Sequence, residues 1–177
     1  MTAPEFSRPE SLDKIGRSSK PVHIEATAEE RAALSRRFGL VALDRLAADY
    51  LLEKEGEAIM AKGHIEAELA QSCIASGVPV PERIDEPFAI RFEREAAAIS
   101  PDEEVELSSD DCDVIFFTGD RIDMGEAVAE TLSLSMNPYP RSPDADSVLR
   151  EAGVLSEEEA SPFAKLRELT RKVDGQF

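Results

Sequence analysis

Three closely spaced aspartates, Asp110, Asp111 and Asp113, are the residues of this sequence that could most directly support chemistry. Carboxylate oxygens are preferred ligands of Mg²⁺, and metal ions held in this way can promote cleavage of a phosphodiester. The spacing does not match an EF-hand loop, because the glycine and the distal glutamate of that loop are missing. Neighbouring residues on a strand also point to opposite faces, so Asp110 and Asp111 cannot easily share one ion. We therefore interpret the cluster as a solvated acidic loop and keep a metal-dependent RNA-processing enzyme as the alternative.

Histidine and cysteine, the other residue types that often serve catalysis or metal binding, are rare in this chain. His23 and His64 lie in or beside predicted strands, and we expect both at the surface. The cysteines are Cys73 and Cys112, and Ser76 stands where a Cys-x-x-Cys zinc knuckle would need its second ligand. The sequence also has no glycine-rich phosphate loop and no Gly-x-Ser-x-Gly motif. We predict no catalytic residue, metal or cofactor, with both cysteines as buried or strand-end thiols.

The charge of the chain limits the partners that it can bind. Among 177 residues there are 20 Lys and Arg against 37 Asp and Glu, which gives a formal net charge of -17. A protein this acidic repels phosphate, so broad binding to nucleic acid or to an anionic membrane is excluded. The two ends of the chain are mildly basic and could make a few salt-sensitive contacts with RNA phosphates. The candidates for these contacts are Arg8, Lys14, Arg17, Lys20, Lys165, Arg171 and Lys172.

Local patterns in the first half of the chain predict a helix and a meander of strands. Thr27–Glu30 forms a capping box, and the helix that it starts should run from Ala28 to Phe38 and end at Gly39. Val22–Ala26 alternates like a short strand, and Ile59–Leu69 alternates like a half-buried one. The strand before it buries Leu46, Ala48, Tyr50 and Leu52, and the strand after it buries Ile84, Phe88, Ile90 and Phe92. Pro87 weakens the start of that last strand or places it at an edge of the sheet.

The second half of the chain predicts two short strands and two helices. The strands, around Val105–Leu107 and Val114–Phe117, flank the acidic loop. Asp123 caps a helix that turns Met124 and Val128 inward and Glu126 and Glu130 outward, and Pro138 and Pro140 stop it. A final amphipathic helix starts with Pro162 and carries Phe163, Leu166, Leu169 and Val173 on one side.

Together these elements predict an α+β fold with an antiparallel sheet, for which a curled, barrel-like form is one option. The predicted helices are a short N-terminal one, a central amphipathic one and a C-terminal one. We place one domain at residues 1–140, with residues 1–20 as a flexible or edge-pairing arm, and a linker with a helical tail at 141–177. The start has no apolar run typical of a secretory signal, and no apolar run approaches the ~20 residues that cross a bilayer. We therefore expect a reduced, cytoplasmic protein.

Several segments, taken in order, resemble the YceD family of large ribosomal RNA subunit accumulation proteins, found across bacteria and in plastids. Ile65–Cys73 is similar to a family strand that ends in cysteine, often followed by a second cysteine where this chain has Ser76. Ile122–Pro140 is similar to the family hallmark of an Ile-Asp-Leu-like start, an acid-bearing helix and a closing Pro-x-Pro. Ser161–Leu169 is similar to the terminal Pro-Phe-Ala segment, and Phe6–Pro9 also fits the family.

The resemblance implies a role in the accumulation or processing of 23S rRNA and in ribosome assembly, and it brings no catalytic residues. The acidic charge favours a basic partner, such as a ribosomal protein or an rRNA-processing factor. We therefore predict a non-enzymatic adaptor with limited contact to large-subunit precursor rRNA. The predicted partner surface combines the acidic loop 102–113 with Asp123, Glu126, Glu130, Pro138, Pro140, Pro162 and Phe163.

Overall fold

The computed structural model of the protein describes residues 4–16, 20–95 and 113–154. The chain divides into two compact units. The first consists of Met1–Gln71 and Pro81–Pro138, and the second consists of Ser72–Val80 and Tyr139–Phe177. The boundary placed at residue 140 from the sequence falls near the start of Tyr139–Phe177, but the distant segment Ser72–Val80 was not expected in the same unit.

The described elements confirm the α+β class. They follow one another as β1 (Pro9–Ser11), β2 (Val22–Glu25), α1 (Ala28–Phe38), β3 (Ala42–Glu55), β4 (Ala58–Ser72), β5 (Pro79–Arg94), β6 (Asp113–Phe117), β7 (Arg121–Asp123), α2 (Met124–Ser135) and α3 (Ala145–Glu151). The helix α3 was not predicted, because its seven residues follow prolines and carry no clear apolar stripe. The strand predicted at 105–107 and the helix predicted from Pro162 lie outside the described residues.

The larger sheet is open rather than closed. In the described ranges its strands lie in the order β2-β3-β4-β5-β6. Antiparallel pairing joins β3 to β4, as the predicted meander requires, and it also joins β2 to β3, for which no partner was predicted. β6 instead pairs parallel with β5, from Ile90 beside Asp113 to Arg94 beside Phe117. Among the described residues, β2 and β6 stand at opposite edges and do not pair, so the sheet is not closed into a barrel and the barrel-like option is not confirmed.

Alternating side chains build the core of the first unit as the sequence predicts. Leu46, Ala48, Tyr50 and Leu52 of β3 are buried, and so are the odd-numbered residues of β4 from 59 to 69 except Gly63. A Cβ atom at Gly63 would collide with the carbonyl oxygen of Asp49 and the ring of Phe88. Glycine at this position therefore lets β3 and β5 approach β4 closely.

The prolines of β5 are accommodated at an edge. The strand begins at Pro79, earlier than the sequence suggested, and it also contains Pro81 and Pro87. β6 pairs only with Ile90–Arg94, so alongside Pro81 and Pro87 the strand has a described neighbour on one side only. A proline without an N–H donor is tolerated there, which fits the edge alternative for Pro87 although β5 itself lies between β4 and β6.

Both predicted caps are present. Thr27 Oγ1 accepts a hydrogen bond from Glu30 N at 3.3 Å, while Glu30 Oε2 accepts one from Thr27 N at 2.7 Å. Gly39 ends α1 with a φ of 66°, a left-handed conformation that glycine adopts without strain. Asp123 Oδ1 accepts hydrogen bonds from the backbone N–H groups of Gly125 and Glu126 and so starts α2.

Candidate partner-binding and RNA-binding surfaces

Arg8, predicted to contact RNA, is held inside the fold. Its guanidinium donates to Glu30 Oε1 at 2.7 Å and to Glu30 Oε2 at 2.9 Å, and it lies 4.6 Å from the centroid of the Phe6 ring. The hydrogen bonds from Arg8 lower the pKa of Glu30 to about 2. A bidentate, partly buried pair of this kind fixes the planar guanidinium. Arg8 therefore serves the fold through Glu30, and its contact with an RNA phosphate stays a prediction.

The remaining RNA candidates divide into exposed and undescribed residues. Lys14 and Lys20 are exposed, which leaves their ammonium groups accessible to a phosphate. Arg17, Lys165, Arg171 and Lys172 lie outside the described residues. In the described part of the chain, these two lysines are the exposed members of the predicted RNA-contact set.

The N-terminal segment is anchored on the start of α2 through Asp123. Ser7 Oγ donates to Asp123 Oδ2 at 2.5 Å, Arg8 N donates to Asp123 Oδ1 at 2.7 Å, and Met124 N donates to the carbonyl of Arg8 at 3.1 Å. β1 then pairs antiparallel with β7. One carboxylate thus caps the helix and binds the segment, which commits Asp123 to the fold; its role in partner binding stays a prediction.

Gly125 allows this close approach. A Cβ atom there would lie 2.5 Å from the carbonyl oxygen of Phe6 and 2.8 Å from Arg8 N. The glycine of the Ile-Asp-Met-Gly stretch is therefore a packing requirement. The sequence pattern marks the helix start correctly, but it contains no signal for what packs against it.

The other predicted partner residues differ in accessibility. Glu126 is half-buried and accepts two hydrogen bonds from Arg37, at 2.7 and 2.9 Å, and Arg37 also donates to Glu5. Glu130 and Pro138 are exposed, whereas Pro140 is buried. Burial and the neighbouring Glu126 raise the pKa of Glu130. Pro162 and Phe163 lie outside the described residues.

Cys73 is buried, as predicted, in a cage of hydrogen-bond donors within the second unit. Its Sγ accepts from Ser142 N at 3.2 Å, Ser142 Oγ at 3.4 Å and Ser76 N at 3.4 Å. The two serine hydroxyls also hydrogen-bond to each other at 3.1 Å. These donors, Ser142 foremost, lower the pKa of the Cys73 thiol to about 6. Ser142 is distant from Cys73 in the sequence and belongs to no motif, so the sequence alone does not reveal this contact. The other cysteine, Cys112, lies outside the described residues.

The two histidines lie on the polar face of the sheet, as expected. His23 Nδ1 hydrogen-bonds with Asp49 Oδ1 at 2.9 Å, and His64 contacts Asp85, whose pKa it lowers. Asp49 and His64 are direct cross-strand partners. The side chains of His23, Asp49, His64 and Asp85 therefore form one polar row across β2, β3, β4 and β5. Both imidazoles have a carboxylate partner, which fits an ordinary surface role.

Of the three clustered aspartates that could bind a metal ion, only Asp113 lies within the described residues. Asp113 is exposed at the start of β6, while Asp110 and Asp111 lie outside the described ranges. Among the residues that the structure describes, no group of three or more His, Cys, Asp and Glu side chains is placed to hold a metal ion. In the same ranges, no helix is long and apolar enough to span a membrane.

Fold, charge and surface together define an acidic α+β protein with an anchored N-terminal segment and an open sheet. The model of one protein family, described as large ribosomal RNA subunit accumulation protein YceD, matches residues 61–170, more than half of the chain. No curated protein and no solved structure matches the chain. The chain belongs to the YceD family, and the family description links it to large ribosomal subunit rRNA.

Proposed function

We propose that this protein is a non-enzymatic factor that supports the accumulation and processing of 23S rRNA during assembly of the large ribosomal subunit in the cytoplasm. The observation that carries this role is the family match over residues 61–170. The protein acts as an acidic adaptor, binding a basic ribosomal protein or rRNA-processing factor and touching precursor rRNA only to a limited extent.

The net charge of -17 supports a basic partner. Opposite charge steers association and selects against acidic competitors. On the described surface, Glu130 and Pro138 are the accessible members of the predicted partner-binding set. Glu126 contributes less directly, because Arg37 already neutralises it.

Limited RNA contact through Lys14 and Lys20 accords with the acidic charge of the rest of the chain. Each Lys–phosphate contact to a single strand contributes about 0.7 to the slope of log affinity against log salt. Two described lysines therefore supply a weak, salt-sensitive contact. They do not supply a nucleic-acid channel.

A complementation experiment tests the role in rRNA accumulation. A strain that lacks the gene is expected to contain less large-subunit rRNA relative to small-subunit rRNA, and the wild-type chain should restore the ratio. Glu130→Lys should restore it less well, because the substitution reverses charge on the partner surface. Glu57→Lys, also at an exposed glutamate but in the β3–β4 turn, is the matched control and should restore it fully.

The absence of enzymatic activity is tested separately with purified protein. Incubation with precursor rRNA and Mg²⁺ should leave the RNA intact. Cleavage that is lost in the triple variant Asp110→Asn, Asp111→Asn, Asp113→Asn would replace the adaptor by the nuclease alternative. An unchanged rRNA ratio in the deletion strain would contradict the proposed function itself.

A further inference from the structure

The two edges of the larger sheet have different surfaces. β2 has four residues, follows Pro21, and exposes the polar side chains of His23 and Glu25. A neighbouring proline and polar side chains protect an edge strand from pairing with another chain. β6 at the other edge has the sequence Asp-Val-Ile-Phe-Phe, which contains no proline and no lysine.

β6 presents apolar side chains to solvent on one face. Phe117 is buried, and Ile115 packs against the core. The alternate residues Val114 and Phe116 are 44% and 56% exposed, although both are large and apolar. Along its other side, β6 has no paired strand among the described residues. Backbone groups without a partner among the described strands, beside two aligned apolar side chains, are what an added strand requires.

Charge selects the kind of segment that can pair with β6. Asp113 begins the strand and Asp120 follows it, and both are exposed. Three cations lie nearby, and each is engaged within the chain. Arg91, beside Val114, donates to Glu93 at 2.7 Å, and Arg121 lies 4.0 Å from Asp120. Arg94 donates to the carbonyl of Gly119 at 2.9 Å and lies 5.4 Å from the centroid of the Phe117 ring. With a net charge of -17 on the whole chain, a basic segment is attracted and a second copy of this chain is repelled.

We infer that β6 is the docking edge for an extended basic segment of the partner protein, which adds to the sheet as a further strand. Main-chain hydrogen bonds to β6 provide affinity, apolar side chains of the segment cover Val114 and Phe116, and its Lys or Arg residues meet Asp113. This assignment rests on the proposed function in one respect, the existence of a basic protein partner.

Peptide binding to the purified full chain tests the docking edge. A labelled twelve-residue peptide of alternating Val and Lys is compared with one of alternating Ser and Lys by fluorescence anisotropy. The Val–Lys peptide should bind at least tenfold more tightly, because only it can cover the apolar pair. A Val–Lys peptide with alternate backbone nitrogens methylated lacks those hydrogen-bond donors. It should bind at least tenfold more weakly than the unmethylated Val–Lys peptide.

Variants of the protein locate the site. Phe116→Ser should weaken binding of the Val–Lys peptide at least tenfold. Leu134→Ser, at a side chain that is 76% exposed on α2, is the matched control and should leave it unchanged. Thermal melts check that each variant folds, and protection of β6 amides from hydrogen exchange on peptide binding provides a second readout that does not depend on substitution.

Three results would overturn the assignment: equal binding of both peptides, equal binding by wild type and Phe116→Ser without amide protection, or self-association through β6. Binding of a twenty-nucleotide oligouridylate that Phe116→Ser abolishes would assign the edge to RNA instead. The peptide experiment contains no ribosomal component. Peptide binding without an effect on rRNA would therefore contradict only the proposed function, and the reverse pattern would contradict only the docking edge.

Discussion

The buried thiol of Cys73 is surrounded by hydrogen-bond donors, two of them from Ser142. Ser76 occupies the position of the second knuckle cysteine, and its backbone N–H points at the same sulfur. Donors of this kind stabilise a thiolate in the way that they stabilise a carboxylate. A hydrogen-bonded sulfur thus joins Ser72–Val80 to the segment after Tyr139, and no metal ligand is needed for that link.

The lowered pKa of Cys73 predicts a pH-dependent stability. A thiol whose pKa is about 6 in the folded state and near its ordinary value of 9.0 in the unfolded state stabilises the fold above pH 9.0. That contribution decreases as the pH falls and is lost near pH 6. The difference in melting temperature between wild type and Cys73→Ala should therefore widen from pH 6 to pH 9.

Absorbance at 240 nm measures the thiolate directly. In a Cys112→Ser background, only Cys73 titrates as a thiol, with an expected midpoint near pH 6. Ser142→Ala removes the hydroxyl donor and should move the midpoint upward. A midpoint near 9 in the parent protein would show that the cage does not stabilise the thiolate.

A substitution at Gly125 tests the close packing of the N-terminal segment on α2. Alanine normally stabilises a helix by about 1 kcal/mol relative to glycine. Here Gly125→Ala should lower the free energy of unfolding by about 2 kcal/mol, because the new Cβ would lie 2.5 Å from the carbonyl oxygen of Phe6. Ser133→Ala, on the exposed side of the same helix, should change it by less than about 0.5 kcal/mol. Urea unfolding measures the free energy of unfolding of both variants. A Gly125→Ala variant that is more stable than the wild type would contradict the close packing.

Among the elements, the N-terminal segment is held by ion pairs as well as by strand pairing. Arg8 joins this segment to α1 through Glu30, and Arg37 joins α1 to α2 through Glu126. Both arginines make two hydrogen bonds to one carboxylate, which restricts orientation more than a single contact would. The segment therefore links the two helices to the sheet core, where Phe6 is fully buried.

The pair Arg8–Glu30 predicts acid sensitivity at this junction. The pKa of Glu30 is about 2 in the folded protein against an ordinary 4.5, so its contribution is present above pH 4.5 and is lost as the pH falls toward 2. A double-mutant cycle with Arg8→Ala and Glu30→Gln should give a coupling of about 1 kcal/mol at neutral pH. The more exposed pair Arg141–Asp146 should give less than about 0.5 kcal/mol. Equal couplings for the two pairs would show that Arg8 does not anchor the segment.

Elements defined by local patterns could be predicted from the sequence, and those defined by distant contacts could not. The capping box at Thr27, the Asp123 cap and the alternation in β3 and β4 depend on residues close together in the chain, and all three are confirmed. The parallel pairing of β6 depends on what lies opposite in space, so five residues of sequence do not reveal it. For the same reason the sequence does not reveal that Arg8 pairs with Glu30, which lies 22 residues away.

For the whole molecule, charge decides which partners are possible. A net charge of -17 favours a basic protein at long range, and screening shortens that range to roughly 8 Å at physiological ionic strength. Partner binding should therefore weaken as salt is raised. The apolar edge of β6 adds a contribution that salt does not screen, so binding should persist in part at high salt.

Recovery of the partner from cell extract tests the central claim most directly. The tagged full chain is incubated with extract at low salt, with and without ribonuclease, and the bound proteins are identified by mass spectrometry. We predict a basic large-subunit protein or rRNA-processing factor that stays bound after ribonuclease treatment and is largely released by high salt. Recovery of no large-subunit component at low salt, or of components that ribonuclease removes completely, would contradict an acidic adaptor for a basic protein.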